Sequence, residues 1–185
     1  MMNFCLWITG LPGSGKSTIA RELETRLAAI GVSVVLLSMD ELRAFLTPHP
    51  KYTDEERDLV YRAMVLVARS IVEHSAKSVI IDATGNRRRF RMLARELIGN
   101  FAEVYVKCPL DLCKAGEQSR ERGHVQQGLY EKAEKGELKS GLPGLSAPYE
   151  PPVQAEVEVA SDALTAKEAA SEIMNYVGGR WLTGF

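Results

Sequence analysis

The run Gly10-Leu11-Pro12-Gly13-Ser14-Gly15-Lys16-Ser17 constrains this chain more than any other feature. It fits the pattern G-x-x-x-x-G-K-[ST]. A β-branched apolar run at 4–9 (FCLWIT) precedes it, and a helical pattern at 16–30 follows, with Ile19, Leu23, Leu27 and Ile30 on one face. Strand, glycine-rich loop and helix in that order make an anion cradle. The glycines let the backbone wrap closely around a phosphate and turn its N–H groups inward. The helix start adds roughly half a positive charge. Lys16 is expected to reach the β- and γ-phosphates of ATP, and Ser17 to offer an oxygen to Mg²⁺. The expected nucleotide-binding residues are thus Gly10, Leu11, Pro12, Gly13, Ser14, Gly15, Lys16, Ser17 and Thr18. The cradle holds phosphates and leaves open what receives one. A mere tight turn is the plainer alternative.

Four further apolar runs stand at 32–37 (VSVVLL), 78–81 (SVII), 103–107 (EVYVK) and 156–159 (EVEV), each bounded by breakers. Helical patterns separate them at 54–74, 87–99, 111–122 and 165–177. Thr53 with Glu56 and Thr165 with Glu168 are spaced as helix-starting caps. Such alternation predicts a parallel sheet with helices on both faces and a ligand-binding edge at the strand C-termini. A chain of 185 residues suits a single domain over 1–185. The stretch from about 123 to 152 is rich in Gly, Pro and charge. It is expected to form a mobile lid around a short helix at 129–135, the alternative being a surface excursion with no role.

Lys and Arg number 23 against 24 Asp and Glu, a formal charge of −1. No bulk basic surface is available for nucleic acid or an anionic membrane, so neither is an expected partner. A bound anion must be held by a local cluster. Cys5, Cys108 and Cys113 are too few and too oddly spaced for a disulfide framework, and no leader or membrane-length apolar run is seen. A reducing, cytoplasmic context is expected. His49, His74 and His124 have no partner spaced for a nucleophilic triad or a metal site.

Three charged features follow strand ends. Asp40-Glu41-Leu42-Arg43 comes after the second strand: Asp40 is placed to accept a proton from an attacking hydroxyl, and Arg43, on the same helical face, to hold an anionic acceptor group. Their alternative is an N-cap Asp and a solvated Arg. Asp82-Ala83-Thr84-Gly85-Asn86 comes after the third strand. Asp82 is placed to support Mg²⁺ or its waters, and Thr84 and Asn86 to contact the acceptor or, alternatively, to cap the next helix. Arg87, Arg88, Arg89 and Arg91 crowd that helix start against its dipole, either as anion ligands or as a solvated face. Arg57 is another candidate anion ligand.

These residues resemble the adenylylsulfate kinase (APS kinase) family. The resemblance runs through WITGLPGSGKSTIA at 7–20, DELR at 40–43, EERDLVYR at 55–62, VYVKCPLDLC at 104–113, GLYEKAEKGELK at 128–139 and APYEPP at 147–152. It implies an α/β, P-loop nucleoside-kinase-like three-layer fold with a five-stranded parallel sheet and a mobile lid. It also implies transfer of the ATP γ-phosphate to the 3′-hydroxyl of adenosine 5′-phosphosulfate, with Mg²⁺. By position, Lys16 and Asp40 take the catalytic roles, and Arg43 and Arg57 bind substrate. Thr84 stands where the family carries a serine to which a phosphorylated intermediate has been ascribed; direct in-line transfer needs none. The family often forms dimers, so a homodimer is implied. The chain departs from the usual pattern at Val60 (usually Asn), at Thr84-Gly85-Asn86-Arg87 (usually S-P-Y-R), at Gln127 (usually Lys), and in lacking a match for the lid phenylalanine. These departures keep two alternatives in view: a P-loop kinase for another small anionic alcohol, such as a sugar acid or an antibiotic hydroxyl, and a nucleotide-binding module without turnover.

Overall fold

The computed structural model describes residues 2–118, 128–138 and 141–182. Several expected features lie outside them: 119–122 of the helix expected at 111–122, lid residues 123–127 and 139–140, and with these His124, Gln127 and Lys139.

Five parallel strands run in the order β2-β3-β1-β4-β5: β1 (Cys5–Thr9), β2 (Val34–Ser38), β3 (Ser78–Asp82), β4 (Phe101–Lys107) and β5 (Val157–Ala160). The central strand β1 is buried at every residue, as a strand covered on both faces must be. Its side chains alternate between two cores. Phe4, Leu6 and Ile8 pack with helix α1 (Lys16–Ala29) and helix α7 (Ala166–Trp181) on one face. Cys5 and Trp7 pack with α3 (Asp54–His74) and α4 (Arg88–Leu97) on the other. These are the three layers. A smaller core joins Leu11 to α5 (Leu110–Gln118) and α6 (Leu129–Glu134) through Cys113, Tyr130 and Leu142.

The element ends follow local chemistry where a cap is present. Thr53 Oγ1 accepts from Glu56 N at 3.2 Å, and α3 has the expected limits. Thr165 and Glu168 close a reciprocal capping box at the start of α7. That helix runs on through Gly178 and Gly179 to Trp181, because the Trp181 ring stacks on Phe4 with centroids 4.8 Å apart. Burial of a large aromatic outweighs a glycine stop signal.

Two expectations change. The second apolar run pairs from Val34 rather than residue 32, and its end feeds directly into an eight-residue helix, α2 (Met39–Leu46). Ser38 caps this helix by accepting from Glu41 N at 3.4 Å, so Asp40 is not the cap. The helix beginning at Arg88 is likewise capped by neither Thr84 nor Asn86. Glu150, sixty-two residues away, accepts from Arg88 N at 2.7 Å and so satisfies an otherwise orphaned helix-start donor.

Candidate active site

Thr9, Ser38 and Asp82 end β1, β2 and β3 on one edge of the sheet, and the loop after β1 turns across that edge into α1. Its glycines do the work expected of them at two places. Gly13 has φ 78°, and a Cβ there would stand 2.0 Å from Cys113 O, because α5 packs directly on the loop. Gly15, at φ 94°, immediately precedes α1 and has open space where a side chain would be. Lys16 is 4% exposed, and its Nζ donates to Leu11 O at 2.7 Å, folded across the loop. Ser14 Oγ is buried without a hydrogen-bond partner. An orphaned hydroxyl on a loop of this shape fits a phosphate oxygen, which would satisfy it.

A cavity of about 180 Å³ lies above this edge. It brings together Pro12, Lys16 and Ser17 from the loop, Asp40 and Arg43 from α2, Arg57 from α3, and Asp82, Thr84 and Asn86 after β3. A wider cleft of about 1170 Å³ adjoins it and shares Asp40, Arg43 and Arg57. Thr18 is exposed on the first turn of α1 and lines neither. Among the described residues no three His, Cys, Asp or Glu side chains gather as a metal site. Ser17 and Asp82 supply hard oxygen donors of the kind Mg²⁺ takes alongside nucleotide phosphates.

Arg43 Nη1 meets Glu56 Oε1 at 3.1 Å, and its guanidinium lies over the Tyr52 ring at 5.1 Å. The same carboxylate accepts Lys51 N at 2.7 Å and Tyr52 N at 3.3 Å, holding Tyr52 in the left-handed region at φ 57°. A non-glycine residue there carries strain of about 1–3 kcal/mol. Tyr52 lines both cavities. Arg57 Nη2 makes a long 3.5 Å contact with Gly141 O. Asn86 donates through Nδ2 to Pro148 O at 3.2 Å, so its amide serves the 147–152 segment while the residue lines the cavity.

The basic run is neither an anion site nor a uniformly solvated face. Arg91 is 1% exposed; it pairs with Glu103, donates to Gly85 O, and donates to Glu150 O at 2.5 Å. Arg87 pairs with Glu150 at 3.2 Å, Arg88 donates to Pro151 O at 3.0 Å, and Arg89 reaches Asp58 at 3.5 Å. The crowding of like charge is relieved by carboxylates and carbonyls from distant segments. Cys5 and Cys113 are buried thiols and Cys108 is half-buried; burial pushes Cys113 up to about 12 and raises Cys5 as well.

Sequence reasoning passed over Tyr52, Glu56 as a partner of Arg43, Tyr61 and Tyr130. Tyr130, on α6, donates from its hydroxyl to Pro12 O at 2.9 Å and so ties the short helix to the phosphate loop. Tyr61 stands four residues after Arg57 on one helix face, and that spacing was the available signal.

A parallel sheet in this order, a glycine-rich loop after its central strand and a charged acceptor cleft across the edge define a P-loop kinase of the nucleoside-kinase-like type. The family model described as Adenylylsulphate kinase matches residues 2–160. An adenylyl-sulfate kinase of Halothermothrix orenii is 37% identical over 172 residues, spanning 93% of this chain and 88% of the relative. A probable adenylyl-sulfate kinase of Archaeoglobus fulgidus is 38% identical over 161 residues, spanning 87% of this chain and 97% of the relative. The structure of the Mycobacterium tuberculosis APS kinase CysC in complex with AMPPNP and APS is similar with a TM-score of 0.83 at 28% identity, covering 95% of this chain and 98% of that one. The chain belongs to the adenylylsulphate kinase family.

Proposed function

We propose that this protein transfers the γ-phosphate of ATP to the ribose 3′-hydroxyl of adenosine 5′-phosphosulfate, giving 3′-phosphoadenylyl sulfate and ADP. The observation that carries the reading is the single cavity that joins Lys16 and Ser17 to Asp40, Arg43 and Arg57. Family membership and the M. tuberculosis complex with AMPPNP and APS support the choice of donor and acceptor.

Each residue has a defined task. The loop amides and Lys16 cradle the phosphates and meet the charge that spreads over the transferring group. Mg²⁺, held by Ser17 and supported by Asp82, would supply further charge neutralisation on the phosphate oxygens. Asp40 orients the acceptor hydroxyl and takes its proton as the new P–O bond forms and the bond to ADP breaks. Arg43 and Arg57 grip the anionic end of the acceptor and hold the hydroxyl in line. Direct in-line transfer within one cavity needs no phosphoryl group on Thr84. The segment at 123–152 acts as a lid over a single domain; the bond between Tyr130 and Pro12 supports contact between its helix and the phosphate loop. A homodimer, which the family resemblance implies, belongs to the same reading. So does a reducing cytoplasmic setting, which three free cysteines suit. No described helix is long and apolar enough to cross a membrane.

A coupled assay of ADP release across candidate acceptors tests the proposal. Adenylyl sulfate should give the highest kcat/KM. Faster turnover with a sugar acid or an antibiotic hydroxyl would replace the acceptor, and tight ATP binding with no acceptor-dependent release would replace the enzyme with a binding module.

A further inference from the structure

Tyr61 is a buried phenol, 5% exposed, on the same face of α3 as Arg57. Its ring stacks with Trp7 at 6.0 Å and with Phe90 at 4.1 Å between centroids. Both neighbours belong to the core, so the ring cannot swing aside. Its hydroxyl oxygen accepts from Gly85 N at 3.0 Å, and the residue lines the smaller cavity beside Asp40, Arg43, Arg57 and Asp82. Val60, next to it, is fully buried and offers the cavity nothing.

A phenol that accepts one hydrogen bond keeps a proton to donate. Among the described residues, no acceptor takes the proton of Tyr61. A buried, rigidly held donor facing a cavity with two guanidiniums suits a ligand oxygen that carries negative charge. Burial raises the phenol above its ordinary value, which keeps the proton in place at neutral pH.

We infer that Tyr61 is a specificity-determining contact for the acceptor, its hydroxyl donating to an anionic oxygen that Arg43 and Arg57 also grip. The inference rests on the function proposed above and deepens it. A neutral, fixed donor adds direction to a site whose arginines supply charge, and so favours an acceptor whose anionic oxygen sits at one place.

Tyr61→Phe tests it, because the ring stack remains and only the hydroxyl goes. With the full chain, ATP and adenylyl sulfate are varied separately and ADP release is followed. KM for adenylyl sulfate should rise about tenfold, while kcat and KM for ATP stay within about twofold. The double variant Arg43→Ala/Tyr61→Phe should lose less than the product of the two single losses, since both side chains engage one group. Three results overturn the inference: an unchanged KM for adenylyl sulfate, losses in the double variant that simply multiply, or a fall in kcat with a rise in KM for ATP, which would mean that Tyr61 acts only by bracing the loop at Gly85. A melting temperature for each variant separates these from unfolding. If the wild-type protein releases no ADP with adenylyl sulfate, the proposed function fails and this inference with it; if only Tyr61→Phe matches the wild type, this inference alone fails.

Discussion

Arg43 and Glu56 face one another at the mouth of the acceptor cleft, Nη1 to Oε1 at 3.1 Å, each side chain only 14% exposed. The pair couples α2 to α3, and its carboxylate also fixes the backbone at Lys51 and Tyr52. The guanidinium is thus held in place ahead of any ligand, which under the proposed function would spare the acceptor part of the ordering cost. Replacing Arg43 by Ala should raise KM for the acceptor by about tenfold to a hundredfold, the worth of a charge-assisted contact. Glu56→Gln removes the charge and keeps an acceptor oxygen for only one of the two amides, which bond different carboxylate oxygens, and should raise the same KM by about threefold to tenfold. Initial rates at varied acceptor check both, and equal KM values for the wild type and Arg43→Ala would remove Arg43 from the site.

Lys16 and Asp40 should separate by kinetic signature. Lys16→Ala should lower kcat by about 10²–10⁴ through loss of charge stabilisation on the transferring group. Asp40→Asn should lower kcat by a comparable ~10²–10⁴ while leaving ATP binding within about twofold, since it acts on the acceptor's proton. Single-turnover rates with ATP affinity measured by calorimetry give the two numbers. An effect of Asp40→Asn confined to KM for ATP would take Asp40 out of the chemistry.

Arg91 and Glu103 form an ion pair with side-chain exposures of 1% and 6%. Removing Arg91 leaves the buried Glu103 carboxylate with only the longer 3.6 Å contact to Arg95. Arg91→Met should therefore destabilise the protein by about 3–5 kcal/mol. Glu103→Gln retains a hydrogen-bond acceptor and should cost less, about 1–3 kcal/mol. Urea unfolding midpoints provide the measurement; an Arg91→Met midpoint equal to that of the wild type would show the pair to be dispensable.

Glu150 gives the fold an acid-sensitive tie. The Arg88 N–H bonded to its carboxylate, and then the Arg87 side chain, hold it below the ordinary carboxylate value of 4.5. A lowered folded-state value means stabilisation that is complete above about 4.5 and lost as pH falls through the lowered value. The wild type should unfold at higher urea than Glu150→Gln at neutral pH, and the gap should close in acid below that window. A gap independent of pH would show that the Glu150 charge contributes nothing.

The phosphate half of the site was legible from sequence because its determinants are contiguous. Strand, glycines, lysine and helix lie within residues 5–29. The caps at Thr53 and Thr165 were legible for the same reason, each acting on an amide three residues away. The candidate acceptor residues Asp40, Arg43, Arg57, Asp82, Thr84 and Asn86 were singled out, and all line one cavity. Their partners were not legible. The contacts of Arg91 with Glu103, Gly85 and Glu150 join three separate stretches of chain, so a local reading could see only four crowded cations. Helix α2 was read only as the shared face of Asp40 and Arg43, and its extent was not, because eight residues starting at a strand end give little periodicity. Tyr61 was not singled out, and the bond its hydroxyl accepts from Gly85 joins positions too far apart for a local reading to connect.

The distant capping of α4 sets an order of events during synthesis. Residues 82–91 leave the ribosome well before residue 150, yet the first turn of α4, the amide of Asn86 and the guanidinium of Arg91 all find partners at 148–150. A nascent chain therefore closes neither half of this edge until its last third has emerged: Cys113 and Tyr130 brace the phosphate loop, and residues 148–150 anchor the segment that follows β3.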